Sequence, residues 1–188
     1  MGKLIVISHP EVVVTPGSPI TEWGLSDLGL ERAKTFARSS VMSSVGAIWS
    51  SCERKALETA SVLARMHNLK PNSDHRLGEN DRSATGFLPI GQFEAAADAF
   101  FAAPGSSFRG WETANAAQKR IVEAVTSIVK VHDCKDLGLV THGAVGTLLW
   151  CHLSGEKIDR RFDQPGQGHY WSADLENLRP DFSWRSIT

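Results

Sequence analysis

Two histidines stand where apolar runs give way to polar residues. His9 follows KLIVIS (Lys3–Ser8) and His142 follows LGLVT (Leu137–Thr141). A third run of strand length, GAIWSS (Gly46–Ser51), is followed closely by two basic residues, Arg54 and Lys55. An imidazole with one unprotonated nitrogen is a nucleophile or a proton shuttle. Arg54 and Lys55 fall on the first turn of an expected helix, where the dipole repels positive charge unless something negative is bound. Helix starts after Ser51 and at Gly143 add unpaired N–H groups suited to an anion such as phosphate. The remaining histidines do not form a metal pattern: none pairs at i, i+4 and no H-E-x-x-H occurs, which argues against a zinc hydrolase.

For His9 and His142 to meet, their runs must be neighbouring strands with the pocket at their carboxyl ends, as in open α/β sheets. The rest of the chain fits such a frame. Ser26 is a candidate N-cap for a helix to about Arg38, with Leu28, Ala33, Phe36 and Ala37 as its inner face. Arg54 to His67, Ile90 to Ala103 and Glu112 to His132 carry helical periodicity, and a helix from Gly143 is stopped by Ser154-Gly155. His169 to Trp171 reads as a last strand. Strand-length runs alternating with helices predict an α/β fold, a three-layer α/β/α sandwich with a mostly parallel sheet. No linker divides the chain, so residues 1–188 are expected to form one domain, with 76–103 as a partial lid over the crevice.

Composition narrows the function. Twenty Lys and Arg against twenty-one Asp and Glu argue against generic binding to nucleic acid or an anionic membrane. No apolar run approaches the ~18 residues of a membrane span. Cys52, Cys134 and Cys151 are odd in number and widely spaced, which suits reduced thiols and a cytoplasmic protein. Trp23 and Trp111, both in loops, are the tryptophans best placed to touch a substrate, and His169 is a weaker candidate for the same crevice.

Four motifs, in order and at similar spacing, resemble the histidine phosphatase superfamily, the phosphoglycerate mutase-like proteins. Ser8-His9-Pro10 stands where that family has Arg-His-Gly, followed by Glu11. LSDLGLERA (Leu25–Ala33) resembles its Leu-Thr-x-x-Gly-x-x-Gln-Ala helix start. SSCERKALETA (Ser50–Ala60) resembles Ser-Ser-Pro-x-x-Arg-Ala-x-x-Thr-Ala, and Thr141-His142-Gly143 resembles Ser-His-Gly.

The resemblance implies phosphoryl transfer through a phosphohistidine, without metal or cofactor. His9 is then the nucleophile, His142 binds a phosphoryl oxygen as an imidazolium, and Glu79, in GENDR, is the proton donor. Without the resemblance, Glu79 reads as a solvated loop acid. Ser8, Arg54, Lys55, Arg82 and Gly143 are the implied phosphate-binding residues. The departures lie among them: Ser8 replaces an arginine, Lys55 occupies a second arginine position with Arg54 one residue earlier, and Pro10 removes an N–H. Arg82 is a further replacement for the lost guanidinium. The implied substrate is a small-molecule or protein phosphomonoester, and a homodimer is compatible with the sequence. Three alternatives remain open: a catalytically impaired member that binds a phosphorylated ligand or protein partner, mutase-type transfer, and metal-assisted hydrolysis.

Overall fold

Alternation along the first strand decides the architecture. In β1 (Lys3–Ser8) Leu4 and Val6 point into one apolar cluster, and Ile5 and Ile7 into another. A strand buried on both faces needs cover on both sides, which is the situation of a central, largely parallel sheet. The second central strand, β4 (Asp136–Thr141), repeats the division, with Leu137 and Leu139 on one side and Val140 on the other.

The computed structural model describes residues 2–133 and 135–188. Among these, β2 (Val45–Ser50), β3 (Asn72–Ser73), β5 (His169–Asp174) and β6 (Arg185–Ser186) complete one sheet in the order β3-β2-β4-β1-β5-β6. The pairings β1–β4, β2–β4 and β2–β3 are parallel, and β1–β5 and β5–β6 are antiparallel. Helices α1 (Asp27–Ala37) and α2 (Arg54–Met66) cover one face through Phe36, Ala37, Ala56, Ala60 and Leu63. Helices α3 (Ile90–Ala102), α4 (Ala114–Val131) and α5 (Gly143–Ser154) cover the other. The expected three-layer sandwich is what forms. None of the helices described is long and apolar enough to cross a membrane. Cys52 and Cys151 are free thiols, and Cys134 lies outside the described residues.

Local signals act as expected at several ends. The Ser26 hydroxyl accepts from Gly29 N at 3.1 Å and starts α1, and Gly155, at φ 71°, closes α5 in the left-handed region. One inner-face assignment is corrected: Leu28 is 60% exposed, and Gly29 takes the inward place beside Ala33, Phe36 and Ala37. The reason is a close approach of backbone to backbone. A Cβ at Gly29 would meet the Glu11 carbonyl oxygen far inside contact distance, so only glycine lets α1 lie against the segment leaving β1.

Two alanine substitutions should therefore have opposite signs. Gly29→Ala is expected to lower stability by about 1–3 kcal/mol through overpacking. Gly91→Ala, in the first turn of α3 with no neighbour within 4 Å of the added carbon, should raise it by up to about 1 kcal/mol through helix propensity. Urea unfolding midpoints of the two variants check the pair. Equal effects would contradict the packing described for α1.

Candidate active site

Register brings the two histidines together. Ser8 of β1 pairs with Thr141 of β4, so His9 and His142 leave the sheet side by side, and His9 N donates to Thr141 O at 3.3 Å. Their ring centroids are 5.3 Å apart at an interplanar angle of 66°. On the other side of β4, Ser50 of β2 pairs with Val140, which sets Ser51 and the start of α2 against His142.

His9 is held in one tautomer. Its Nδ1 lies 2.9 Å from the carbonyl oxygen of Pro10. A carbonyl only accepts, so Nδ1 carries the proton and Nε2 keeps its lone pair. Burial, then the Lys55 charge, push the His9 pKa down to about 4 against the raising effects of Pro10 and Glu53. At neutral pH the ring is an uncharged imidazole at the wall of a cavity, equipped to attack an electrophile.

His142 is fully buried, and burial pushes its pKa well below the usual value although Glu53 opposes this. The expected imidazolium is thus not the form this environment favours. Its Nε2 lies 2.7 Å from Ser51 Oγ and 3.3 Å from Glu53 Oε1, an ionised carboxylate that only accepts, so Nε2 is the protonated nitrogen. Nδ1 is buried without a protein partner among the described residues. Glu53 also accepts from Lys55 Nζ at 2.5 Å and from Glu79 N at 2.9 Å. Burial alone would raise the Glu53 pKa, but His142, Lys55 and these hydrogen bonds outweigh it and hold the carboxyl at about 2. Lys55 itself is 3% exposed and spends its charge on Glu53 and on the Ile20 carbonyl at 2.9 Å.

Glu79 is far from a solvated loop acid. Its carboxylate caps α5, accepting from Ala144 N at 3.2 Å and Val145 N at 3.1 Å. Burial raises its pKa, and the Arg82 charge opposes the rise. The backbone around it is pinned from three sides. Thr141 Oγ1 donates to Leu77 O at 2.7 Å, and Glu53 accepts from Glu79 N. Arg120 of α4 donates to the carbonyls of Arg76 at 2.7 Å, Gly78 at 2.9 Å and Glu79 at 3.2 Å.

His9, Lys55, Glu79, Arg82 and Gly143 all line one cavity of about 600 Å3. The result is a neutral imidazole, a carboxyl group with a raised pKa and a cation around a shared space. A family model, the histidine phosphatase superfamily (branch 1), matches residues 17–174 of the sequence. The chain belongs to that superfamily.

Solved structures of this fold agree with the architecture. A mycobacterial glucosyl-3-phosphoglycerate phosphatase in complex with inorganic phosphate overlays with a TM-score of 0.81 at 19% identity, over 100% of this chain and 99% of that one. Bacillus stearothermophilus YhfR overlays at 0.82 and 22% identity, over 98% and 96% of the two chains. An Entamoeba histolytica phosphoserine phosphatase in complex with 3-phosphoglyceric acid overlays at 0.78 and 19% identity, over 99% and 98%. No curated protein matches the sequence.

Within this superfamily fold, three residues expected at the phosphate lie outside the cavity lining: Ser8, Arg54 and His142, the last with no exposed surface. Ser8 is buried and does not line the cavity; its hydroxyl donates to Gln164 Oε1 at 2.5 Å and accepts from His169 N at 3.0 Å, tying β1 to β5. Arg54 points to solvent and pairs with Glu58 at 2.8 Å, one turn along α2, where the charge pair is more favourable than an empty helix start. His169 is outside the cavity lining, whereas Trp23 and Trp111 are in it. Sequence reasoning missed Glu53, Arg120 and Gln164. Gln164 lines the cavity and its side chain occupies the space beside Gly143, where a Cβ would collide with it. Among the described residues, no group of three or more His, Cys, Asp and Glu is placed to hold a metal ion.

The Glu53–Lys55 pair makes a clear prediction for stability. Glu53→Gln leaves a buried ammonium without its counter-charge and should cost about 3–5 kcal/mol. Adding Lys55→Met removes the stranded charge and should recover most of that loss. Urea midpoints of the single and double variants decide it; equal destabilisation would mean the pair is not what holds this turn.

Proposed function

We propose that the protein is a phosphatase that hydrolyses a phosphomonoester through a phosphohistidine on His9. The observation that carries this reading is the committed Nδ1 of His9, which leaves a neutral Nε2 lone pair at the cavity wall. Nε2 attacks phosphorus, the P–N bond forms and the bond to the leaving oxygen breaks. Glu79, kept protonated to higher pH than an ordinary glutamate, gives its proton to that oxygen. Water then attacks the phosphohistidine while the Glu79 carboxylate takes its proton, the P–N bond breaks, and both groups return to their starting states. No step invokes a metal.

Negative charge on the transferring group is met by Arg82, which has no carboxylate partner among the described residues; the first turn of α5 is already capped by Glu79. His142 is fully buried and does not line the cavity; it stands beside His9, ring centroids 5.3 Å apart, and acts on the site from there. An arriving phosphoryl dianion favours a second proton on this ring, at Nδ1, with Glu53 as counter-charge on the Nε2 side. Residues 76–103 form a partial lid: Arg82, Phe87, Ile90 and Phe93 of this stretch line the cavity. A cavity walled this way favours a small-molecule ester over a protein. One rival reading has support in the paired Lys55 and the turned-away Ser8, namely binding of a phosphorylated ligand without turnover.

Kinetics separate the two readings. His9→Ala should abolish hydrolysis of alkyl and aryl phosphates alike. Glu79→Gln should slow alkyl phosphates by roughly 10²–10⁴-fold. It should slow para-nitrophenyl phosphate far less, because that leaving group needs little help from an acid. The wild-type profile of kcat/KM should fall on the acid side as His9 gains a proton, near pH 4 rather than 6.5. On the alkaline side it should fall as Glu79 loses its proton, above the usual glutamate range. Unchanged turnover in His9→Ala, or no turnover in wild type, would reject the mechanism.

A further inference from the structure

The charges and walls of the cavity restrict the substrate beyond its phosphoryl group. Three cationic side chains line the cavity among the described residues: Lys55, Arg82 and Arg160. Lys55 is paired with Glu53, and Arg160 is paired with both Glu94 and Asp98. Arg82 alone has no carboxylate partner there. Its guanidinium carbon stands 5.2 Å from the Phe93 ring centroid and 5.6 Å from that of Trp111, and its charge is felt at His9, Glu79 and His142. One uncommitted cation next to the reacting histidine serves the phosphoryl group. A second anionic group on the substrate would find no cation to meet it, and it would face Glu94 and Asp163, which also line the cavity.

Beside these charged groups and the amides of Asn80, Gln164 and Gln167, the wall carries a large apolar and aromatic share: Trp23, Phe87, Leu88, Phe93, Phe101 and Trp111. Trp23 comes from the segment after β1 and Phe87 from the segment before α3, and their rings meet at 5.8 Å. Phe93 and Trp111 meet at 6.3 Å. The apolar lining continues outwards to Val14, 54% exposed, and Ile90, 81% exposed. A volume of about 600 Å3 takes a ring-bearing body with room to spare. Burying such a body removes apolar surface from water on both sides, whereas a carboxylate or a second phosphate would have to be desolvated without compensation.

We infer that the substrate is the phosphate monoester of an uncharged, apolar alcohol carrying an aromatic ring, with no carboxylate and no second phosphoryl group. This deepens the phosphatase reading and rests on it for turnover, but its recognition step can be measured separately. Phosphonates that cannot be hydrolysed serve as probes: naphthylmethylphosphonate, methylphosphonate and the phosphonate analogue of phosphoserine, each titrated calorimetrically into the wild-type protein. Naphthylmethylphosphonate should bind roughly tenfold or more tighter than methylphosphonate. The amino-acid phosphonate should bind no tighter than methylphosphonate. Phe87→Ser, at a partly exposed position, should reduce the naphthyl-to-methyl ratio several-fold. If the amino-acid phosphonate binds as tightly as the naphthyl compound, or the ratio is unchanged in Phe87→Ser, the inference is wrong. Tight, selective naphthyl binding with no hydrolysis of any ester would uphold the recognition and overturn the phosphatase reading. Hydrolysis with a preference for phosphoserine would do the reverse.

Discussion

The carboxylate of Glu53 is the contact on which the candidate site depends. It faces the Nε2 of His142, neutralises Lys55 and accepts the backbone N–H of Glu79. Those three partners come from α5's N-cap, from α2 and from the segment before α3, which share no local sequence. A buried carboxylate with a pKa of about 2 needs such partners, and removing any one exposes the others to an uncompensated charge. The same group decides two protonation states. It requires the proton of His142 to sit on Nε2, and it pairs with Lys55, the positive charge that acts most strongly on His9.

The second constraint is the use of backbone groups where a charged contact would be expected. Position 8 is a serine that bonds to β5 and Gln164, and Pro10 supplies only a carbonyl. That carbonyl orients His9, while the start of α5 is capped by Glu79 through two N–H groups. The site therefore holds less positive charge than a pocket built with an arginine at position 8, and Arg82, resting over Phe93 and Trp111, carries more of it. An aromatic platform under a guanidinium fixes its direction without neutralising it.

Much of this was legible in the residues. KLIVIS reads as a buried strand, and the meeting of His9 with His142 follows from their strand ends once β1 and β4 are neighbours, which the structure makes them. The two-residue strands β3 and β6 carry no periodicity and exist only because longer strands offer them an edge. Leu28 faces outward against its hydrophobicity, because packing against the Glu11 carbonyl admits glycine and not leucine on the inner face. Arg54 and Lys55 looked equivalent on one helical turn; adjacent residues on a helix diverge by about 100°, so one points in and the other meets Glu58. Arg120 and Gln164 were invisible because their partners lie more than forty and more than one hundred and fifty residues away, at Arg76 and Ser8.

The claim at the centre of this account is that His9 becomes phosphorylated. Rapid quenching of the wild-type protein with a radiolabelled aryl phosphate tests it most directly. The account predicts label that is stable to alkali, labile to acid, located on His9 and missing from His9→Ala. Hydrolysis without any trapped phosphoenzyme, or label that persists in His9→Ala, would contradict it.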